Sequence, residues 1–337
     1  MSLNDSLDVI FDPTLNNRKN KTAGAEKALR SNFGKKRSGQ SAGINRSNLA
    51  KMARVAGKTP EVMVKVSGGA KGLNHVREHL NYITRNGDVE AESEQGEIIS
   101  NREQVREKAR AWSEADQGQG KGRGRQTVNL VLSMPPGTDE KKLKNAVRNF
   151  AARTFSADRE YLFVQHHDTK HPHCHLTLQA VGVDGKRLSP NKAQLQVWRE
   201  SFAEALREQG VKAEATPRRS RGVVKKGEKQ AVRHARKRND STVVKGQIES
   251  AKKRLLGDER ERPWEARIAK QQDDVRKAWG NVAKELEMLP EGRKMAQVVK
   301  QFVAQMPKTV TKEQELVAAM RKTVVEQKKD KSQELER

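Results

Sequence analysis

Five of the chain's eight histidines fall within ten residues, in His166-His167-Asp168-Thr169-Lys170-His171-Pro172-His173-Cys174-His175. Glu160–Gln165 before this stretch and His173–Val181 at its end both read as β-strands, short and rich in apolar residues. Residues i and i+2 of a strand share a face. His173 and His175 therefore present two imidazoles side by side, while Cys174 and Leu176 turn the other way into packing. His166 follows directly on the preceding strand, and an antiparallel hairpin brings it beside the pair. Three neutral imidazoles at one point make a divalent-metal site with open positions for substrate. A solvated histidine-rich turn is the plainer alternative, and a zinc hydrolase or a structural zinc site is equally open on these residues alone. Asp168 fits either a carboxylate that fixes the tautomer of a ligand histidine or a turn-forming residue. His167 and His171 read as outer or exposed groups.

The surrounding pattern sets the fold class. Val62, Val64 and Val66 alternate as in a strand, and Ser67-Gly68-Gly69 breaks it. Lys71–Arg85 reads as an amphipathic helix with Leu73, Val76, Leu80 and Ile83 on one face, ended by Asn86-Gly87. Helix Arg102–Glu114, a Gly- and cation-rich loop Gln117–Arg125, strand Thr127–Ser133 and helix Asp139–Phe155 follow. After the histidines come a hairpin turn at Gly182-Val183-Asp184-Gly185 and a helix from Ser189-Pro190 through Arg207. These elements predict an α+β fold, a central, mainly antiparallel sheet with flanking helices.

The formal net charge is +25, which draws in a polyanion and points to nucleic acid. Hydrophobic residues make up 34% and charged residues 33%, thin for one compact domain of 337 residues. The expected organisation is a basic, largely disordered arm over 1–58, a core domain over 59–215, a basic linker over 216–240 and a charged helical region over 241–337. Within the arm, short helical turns are expected around Ala23–Leu29 and Arg46–Val55. In the last region Ile268, Val275, Trp279, Val282 and Leu286 recur at helical spacing. No apolar run approaches the length of a membrane span and no signal peptide is read, so a cytoplasmic protein is expected. The single cysteine, Cys174, allows neither a disulfide framework nor a four-cysteine zinc site.

The chain has two tyrosines. Tyr161 lies in a predicted strand and reads as structural. Tyr82 occupies the last turn of the Lys71–Arg85 helix, where half-buried packing is the ordinary role and a nucleophile is the alternative. Ser133 ends a strand before Met134-Pro135-Pro136-Gly137, placed either to cap the turn or to bond a phosphate.

These three pieces stand in a fixed order: Leu80-Asn81-Tyr82-Ile83-Thr84-Arg85-Asn86-Gly87, then Leu132-Ser133-Met134-Pro135-Pro136-Gly137-Thr138, then the histidine stretch. Together they resemble the relaxases of the P-type mobilisation group, which includes the transfer initiators of broad-host-range plasmids and of Agrobacterium T-DNA. The resemblance covers roughly Glu61 to Gly210. It implies an HUH-type endonuclease fold, with Tyr82 as nucleophile, His166, His173 and His175 as metal ligands, and Ser133 near the scissile phosphate. Gln179 stands where the family usually has asparagine, and the nucleophile follows a longer basic segment than usual.

The implied reaction is strand-specific nicking and rejoining at an origin of transfer through a 5′-phosphotyrosyl link. Its expected cofactor is Mg²⁺ or Mn²⁺, with Zn²⁺ or Ni²⁺ able to copurify on imidazole ligands. Arg85, Lys121, Arg123, Arg125, Arg218, Arg219 and Arg221 are the expected DNA contacts. The expected partners are single-stranded origin DNA, an accessory relaxosome protein and a type IV coupling protein, with passage to a recipient cell alongside the DNA. A rolling-circle replication initiator shares the metal chemistry, but its tyrosine normally follows the histidine pair. A noncatalytic DNA-binding protein with a structural metal is the other alternative.

Overall fold

The computed structural model describes residues 3–11, 46–118, 124–225, 227–290 and 292–335. The expected turn at Ala23–Leu29 and the basic residues Lys121 and Arg123 lie outside the described residues. The chain divides into two compact units, one of residues 13–216 and the other of residues 1–12 with 217–337. In chain order, helix α1 (Leu3–Phe11) belongs to the second unit, and α2 (Arg46–Ala56) opens the described part of the first.

The first unit is built on a six-stranded antiparallel sheet in the order β1-β4-β6-β5-β2-β3. Its strands are β1 (Met63–Gly68), β2 (Ala91–Ser93), β3 (Ile98–Ile99), β4 (Thr127–Ser133), β5 (Tyr161–His166) and β6 (His173–Gln179). Helices α3 (Leu73–Ile83) and α4 (Arg102–Gly118) precede β4; α5 (Glu140–Phe155) lies between β4 and β5, and α6 (Lys192–Glu208) follows β6. Alternation gives the sheet a core on each face, and β5 contributes to both. Val128, Leu130, Leu132, Tyr161, Phe163, Cys174, Leu176 and Leu178 pack with Leu143, Val147, Phe150, Trp198 and Phe202. On the opposite face Leu162 and Val164 pack with Val76, Leu80, Ile83, Val105 and Trp112. Asp139 caps α5 by accepting from the Lys142 N–H, and Asn191 caps α6 by accepting from Gln194.

The antiparallel α+β architecture and the hairpin at Gly182–Gly185 are as expected, the latter closed by Gly185 N–H donating to the Gly182 carbonyl at 2.9 Å. Three details differ. Strands β2 and β3 have only three and two residues, too short to show alternation in the sequence. Leu73 sits in the first turn of α3 and is exposed rather than packed. Helix α4 runs to Gly118, into the segment expected as loop.

The second unit is helical, with α7 (Gln230–Lys237), α8 (Thr242–Leu255), α9 (Pro263–Glu287), α10 (Arg293–Ala304) and α11 (Lys312–Leu335). Trp279 of α9 is its central side chain, fully buried and edge-on to Phe302 at 5.2 Å and to Phe11 of α1 at 5.9 Å. Its indole N–H donates to the Ser220 carbonyl at 2.9 Å, and the Ser220 hydroxyl donates to the Ile10 carbonyl. Residues 3–11, expected within a disordered arm, are thus a packed helix, and the apolar Leu7, Ile10 and Phe11 supply the reason.

Candidate metal and nucleophile site

Strand register places the candidate site in the middle of the sheet. His173 stands opposite His166 of β5 on one side and Ser133 of β4 on the other; His175 stands opposite Val164 and Val131. Directly paired residues share a face, so three histidines and Ser133 line one end of the face that α3 and α4 partly cover. The ring centroids of His166 and His175 are 4.5 Å apart, and both lie within 5.5 Å of His173. One ring nitrogen from each of the three lies within 4.8 Å of the others, close enough for a single cation to join them.

Hydrogen bonds orient two of these rings. His166 Nε2 is 2.6 Å from the Ile83 carbonyl, which can only accept, so Nε2 carries the proton and Nδ1 keeps its lone pair. His173 Nδ1 faces the His171 carbonyl at 3.1 Å, which leaves Nε2 as the lone-pair nitrogen. Asp168, considered above for this orienting role, instead pairs with Arg85 at 2.5 Å, while its other oxygen stands 3.8 Å from His173 Nε2. Backbone carbonyls do the orienting.

Burial sets the protonation states. It pushes His175 down to about 4, helped by the neighbouring His166, His173 and His79. It also lowers His166, against the opposing pull of the Ile83 carbonyl. Neutral imidazole is the ligating form, so these donors suit a divalent ion at neutral pH. Cys174 faces the other core, and burial raises its thiol to about 12, which removes it as ligand or nucleophile. His167 points outward and pairs with Glu140 at 2.6 Å; His171 is exposed.

Tyr82 is 58% exposed, whereas Tyr161 is 2% exposed and pushed up to about 12, by burial first and then by Glu94 and Glu92. The difference follows from position. Val76, Leu80 and Ile83 turn the inner face of α3 into the core, and Tyr82 stands outside that stripe. Its ring meets His175 edge-on, at 6.3 Å between centroids and 85° between planes. The Arg85 guanidinium covers the same ring at 5.4 Å. The helix stops sharply here. Arg85, Asn86 and Gly87 all have positive φ, and a Cβ on Gly87 would come within 2.5 Å of Asn101 backbone, so only glycine fits.

The remaining expected contacts divide by location. Ser133 is buried, its hydroxyl 3.3 Å from the Met134 carbonyl, in the same row as His173. Arg125 precedes β4 at the opposite end from Ser133, roughly 26 Å away for eight extended residues. Arg218, Arg219 and Arg221 belong to the helical unit. Gln179 is half-buried and its N–H donates to the Glu160 carbonyl. His79 was missed, although it lies three residues before Tyr82, the spacing that shares a helix face. Its Nε2 is 2.9 Å from the Thr177 hydroxyl, and burial takes it down to about 4.

Residues 82–211 match the family model "Relaxase: MobA/VirD2-like, nuclease domain". Among curated proteins, the chain is 28% identical over 186 residues to "T-DNA border endonuclease VirD2" of Rhizobium radiobacter, covering 49% of this chain and 44% of the relative. It is 26% identical over 183 residues to the protein of the same description from Rhizobium rhizogenes, with 48% and 42% covered. The Agrobacterium fabrum protein so described gives 26% over 186 residues, with 49% and 42% covered. The chain spans less than half the length of these relatives.

Proposed function

Because the chain carries a nuclease domain of the MobA/VirD2-like relaxase type, we propose that it nicks and rejoins one DNA strand at an origin of transfer, with Tyr82 as nucleophile. The observation that supports this most is the exposed Tyr82 ring standing edge-on to His175 of a three-imidazole cluster. His166, His173 and His175 would hold a divalent ion, Mg²⁺ or Mn²⁺, which supplies charge compensation at the phosphate. The donor set fits such an ion: three imidazoles, two of them with one ring nitrogen already hydrogen-bonded to a backbone carbonyl.

The protein's own residues account for the rest. A tyrosine hydroxyl, ordinarily near pKa ~10, is a weak nucleophile that gains chiefly from placement. Tyr82 Oη bonds to phosphorus as the P–O3′ bond breaks. The proton lost from the hydroxyl is balanced by one gained at the 3′-oxygen, and one phosphodiester replaces another. The 5′-phosphotyrosyl link keeps the bond energy, so a 3′-OH can reverse the step and reseal the strand. Arg85, which contacts both the Tyr82 ring and Asp168, would meet a phosphate next to the nucleophile. Ser133 offers its hydroxyl beside His173.

Single-stranded origin DNA is the substrate form proposed, because an unpaired strand is free to bend its phosphate towards Tyr82. The net charge of +25 would hold its backbone with strong salt dependence. An accessory relaxosome protein to expose the strand and a type IV coupling protein complete the proposal, with cytoplasmic action in the donor and passage to the recipient. No described helix is long and apolar enough to cross a membrane. The test is an end-labelled origin strand incubated with the protein and Mn²⁺. A metal-dependent protein–DNA adduct that disappears in Tyr82→Phe supports the reading; cleavage without an adduct would identify a hydrolase instead.

A further inference from the structure

Helix α3 carries Tyr82, and strands β5 and β6 carry the histidines, so the reaction depends on how the helix is registered on the sheet. Apolar contacts of Val76, Leu80 and Ile83 choose the face of α3 that is buried. Such contacts are non-directional and tolerate small slides along the helix axis. Directional bonds remove that freedom. Two of them bracket the nucleophile: His79 Nε2 to the Thr177 hydroxyl at 2.9 Å, three residues before Tyr82, and His166 Nε2–H to the Ile83 carbonyl at 2.6 Å, one residue after it.

The first of these bonds involves groups that packing alone does not call for. Thr177 is fully buried, and His79 is largely so. An aliphatic pair would fill the same space without the cost of taking an imidazole and a hydroxyl out of water. His79 neighbours His175 but is not one of the three histidines whose ring nitrogens converge. We propose that His79 is a positioning residue: through Thr177 it locks α3 onto β6 and fixes where the Tyr82 hydroxyl stands relative to the histidine site. This rests on Tyr82 and the three histidines acting as proposed above.

The test uses the full chain and begins with the wild type, so that the two readings fail separately. The chain's two tyrosines permit labelling with 3-fluorotyrosine, which gives one exposed probe at Tyr82 and one buried reference at Tyr161. Mn²⁺ should broaden the Tyr82 fluorine resonance in the wild type. Its absence there would remove the metal–tyrosine reading and this inference together. Thr177→Val keeps the β-branched shape and removes the hydroxyl. It is expected to weaken the Mn²⁺ broadening at Tyr82 and to slow single-turnover adduct formation by about 10- to 100-fold, the scale of an ångström-level misplacement. Mn²⁺ and DNA affinity should stay within about threefold, since no ligand is lost. His79→Leu should match it, the double variant should be no worse than either single one, and His79→Gln should recover most of the rate. Should Thr177→Val not fold, the His79→Leu and His79→Gln pair carries the same comparison. Wild-type rate and broadening in Thr177→Val and His79→Leu would overturn the inference. So would a loss of Mn²⁺ affinity in His79→Leu as large as in His175→Ala, which would make His79 a ligand.

Discussion

Acidification should destabilise the metal-free nuclease unit well above the carboxylate range, and His79 should carry most of the effect. In the unfolded chain a histidine titrates near ~6.5; in the folded unit burial holds His79 near about 4. At pH 7.5 both states are neutral and nothing is lost. Between about 6.5 and 4 the unfolded state takes up a proton that the folded state refuses, so stability falls as pH falls; below about 4 both are protonated and the fall ends. From pH 7.5 to 5.0 this amounts to about 2 kcal/mol for His79, from ~1.36 kcal/mol per pKa unit across that window. His175 is also held near about 4, by burial and by its histidine neighbours, and adds about 1 kcal/mol once solvent screening is allowed for. Native-state hydrogen exchange of the β5 and β6 amides, in chelator and corrected for intrinsic rates, reads this unit apart from the helical one. Wild type should lose at least about 3 kcal/mol between the two pH values, since His166 is lowered as well, and His79→Gln about 2 kcal/mol less. An equal loss in both would refute the assignment of a buried, neutral imidazole at position 79.

Three further outcomes follow from the same geometry. His175→Ala removes one of the three imidazoles of the cluster, the one that meets the Tyr82 ring, and should weaken Mn²⁺ binding by at least about 100-fold by calorimetry, with the fold kept by circular dichroism. Asp168→Asn breaks an ion pair whose partners are both more than 40% exposed, so stability should change by less than about 1 kcal/mol while adduct formation slows through the freed Arg85. Phe150→Ala empties a fully buried site between Phe155 and Phe202, each 5.8 Å away, and should cost about 3–5 kcal/mol in urea titration of the nuclease unit.

The sequence made the histidine hairpin legible because strand periodicity acts over two residues and needs no knowledge of the rest of the fold. His173 and His175 on one face, Cys174 and Leu176 on the other, and His166 across the hairpin are all local consequences of that period. Tyr82 was different. Its position in α3 follows from helical spacing, but its exposure and its approach to His175 depend on how α3 lies on the sheet, a tertiary fact that no local pattern carries. The same holds for the partners that replaced Asp168: backbone carbonyls of Ile83 and His171 leave no trace in residue identity. Strands β2 and β3 were too short to show a period, and α1 was hidden because its three buried apolar residues sit in a polar segment whose packing partner, Trp279, lies more than 250 positions away.

The central claim is that one particular oxygen, on Tyr82, becomes bonded to DNA. The most direct measurement is to trap the complex on origin single strand with Mn²⁺, digest both protein and DNA, and sequence the modified peptide by mass spectrometry. A nucleotide joined through its 5′-phosphate to Tyr82, with the Tyr161 peptide unmodified, is the predicted result. Cut DNA with no modified peptide, or a nucleotide on any residue other than Tyr82, would contradict it.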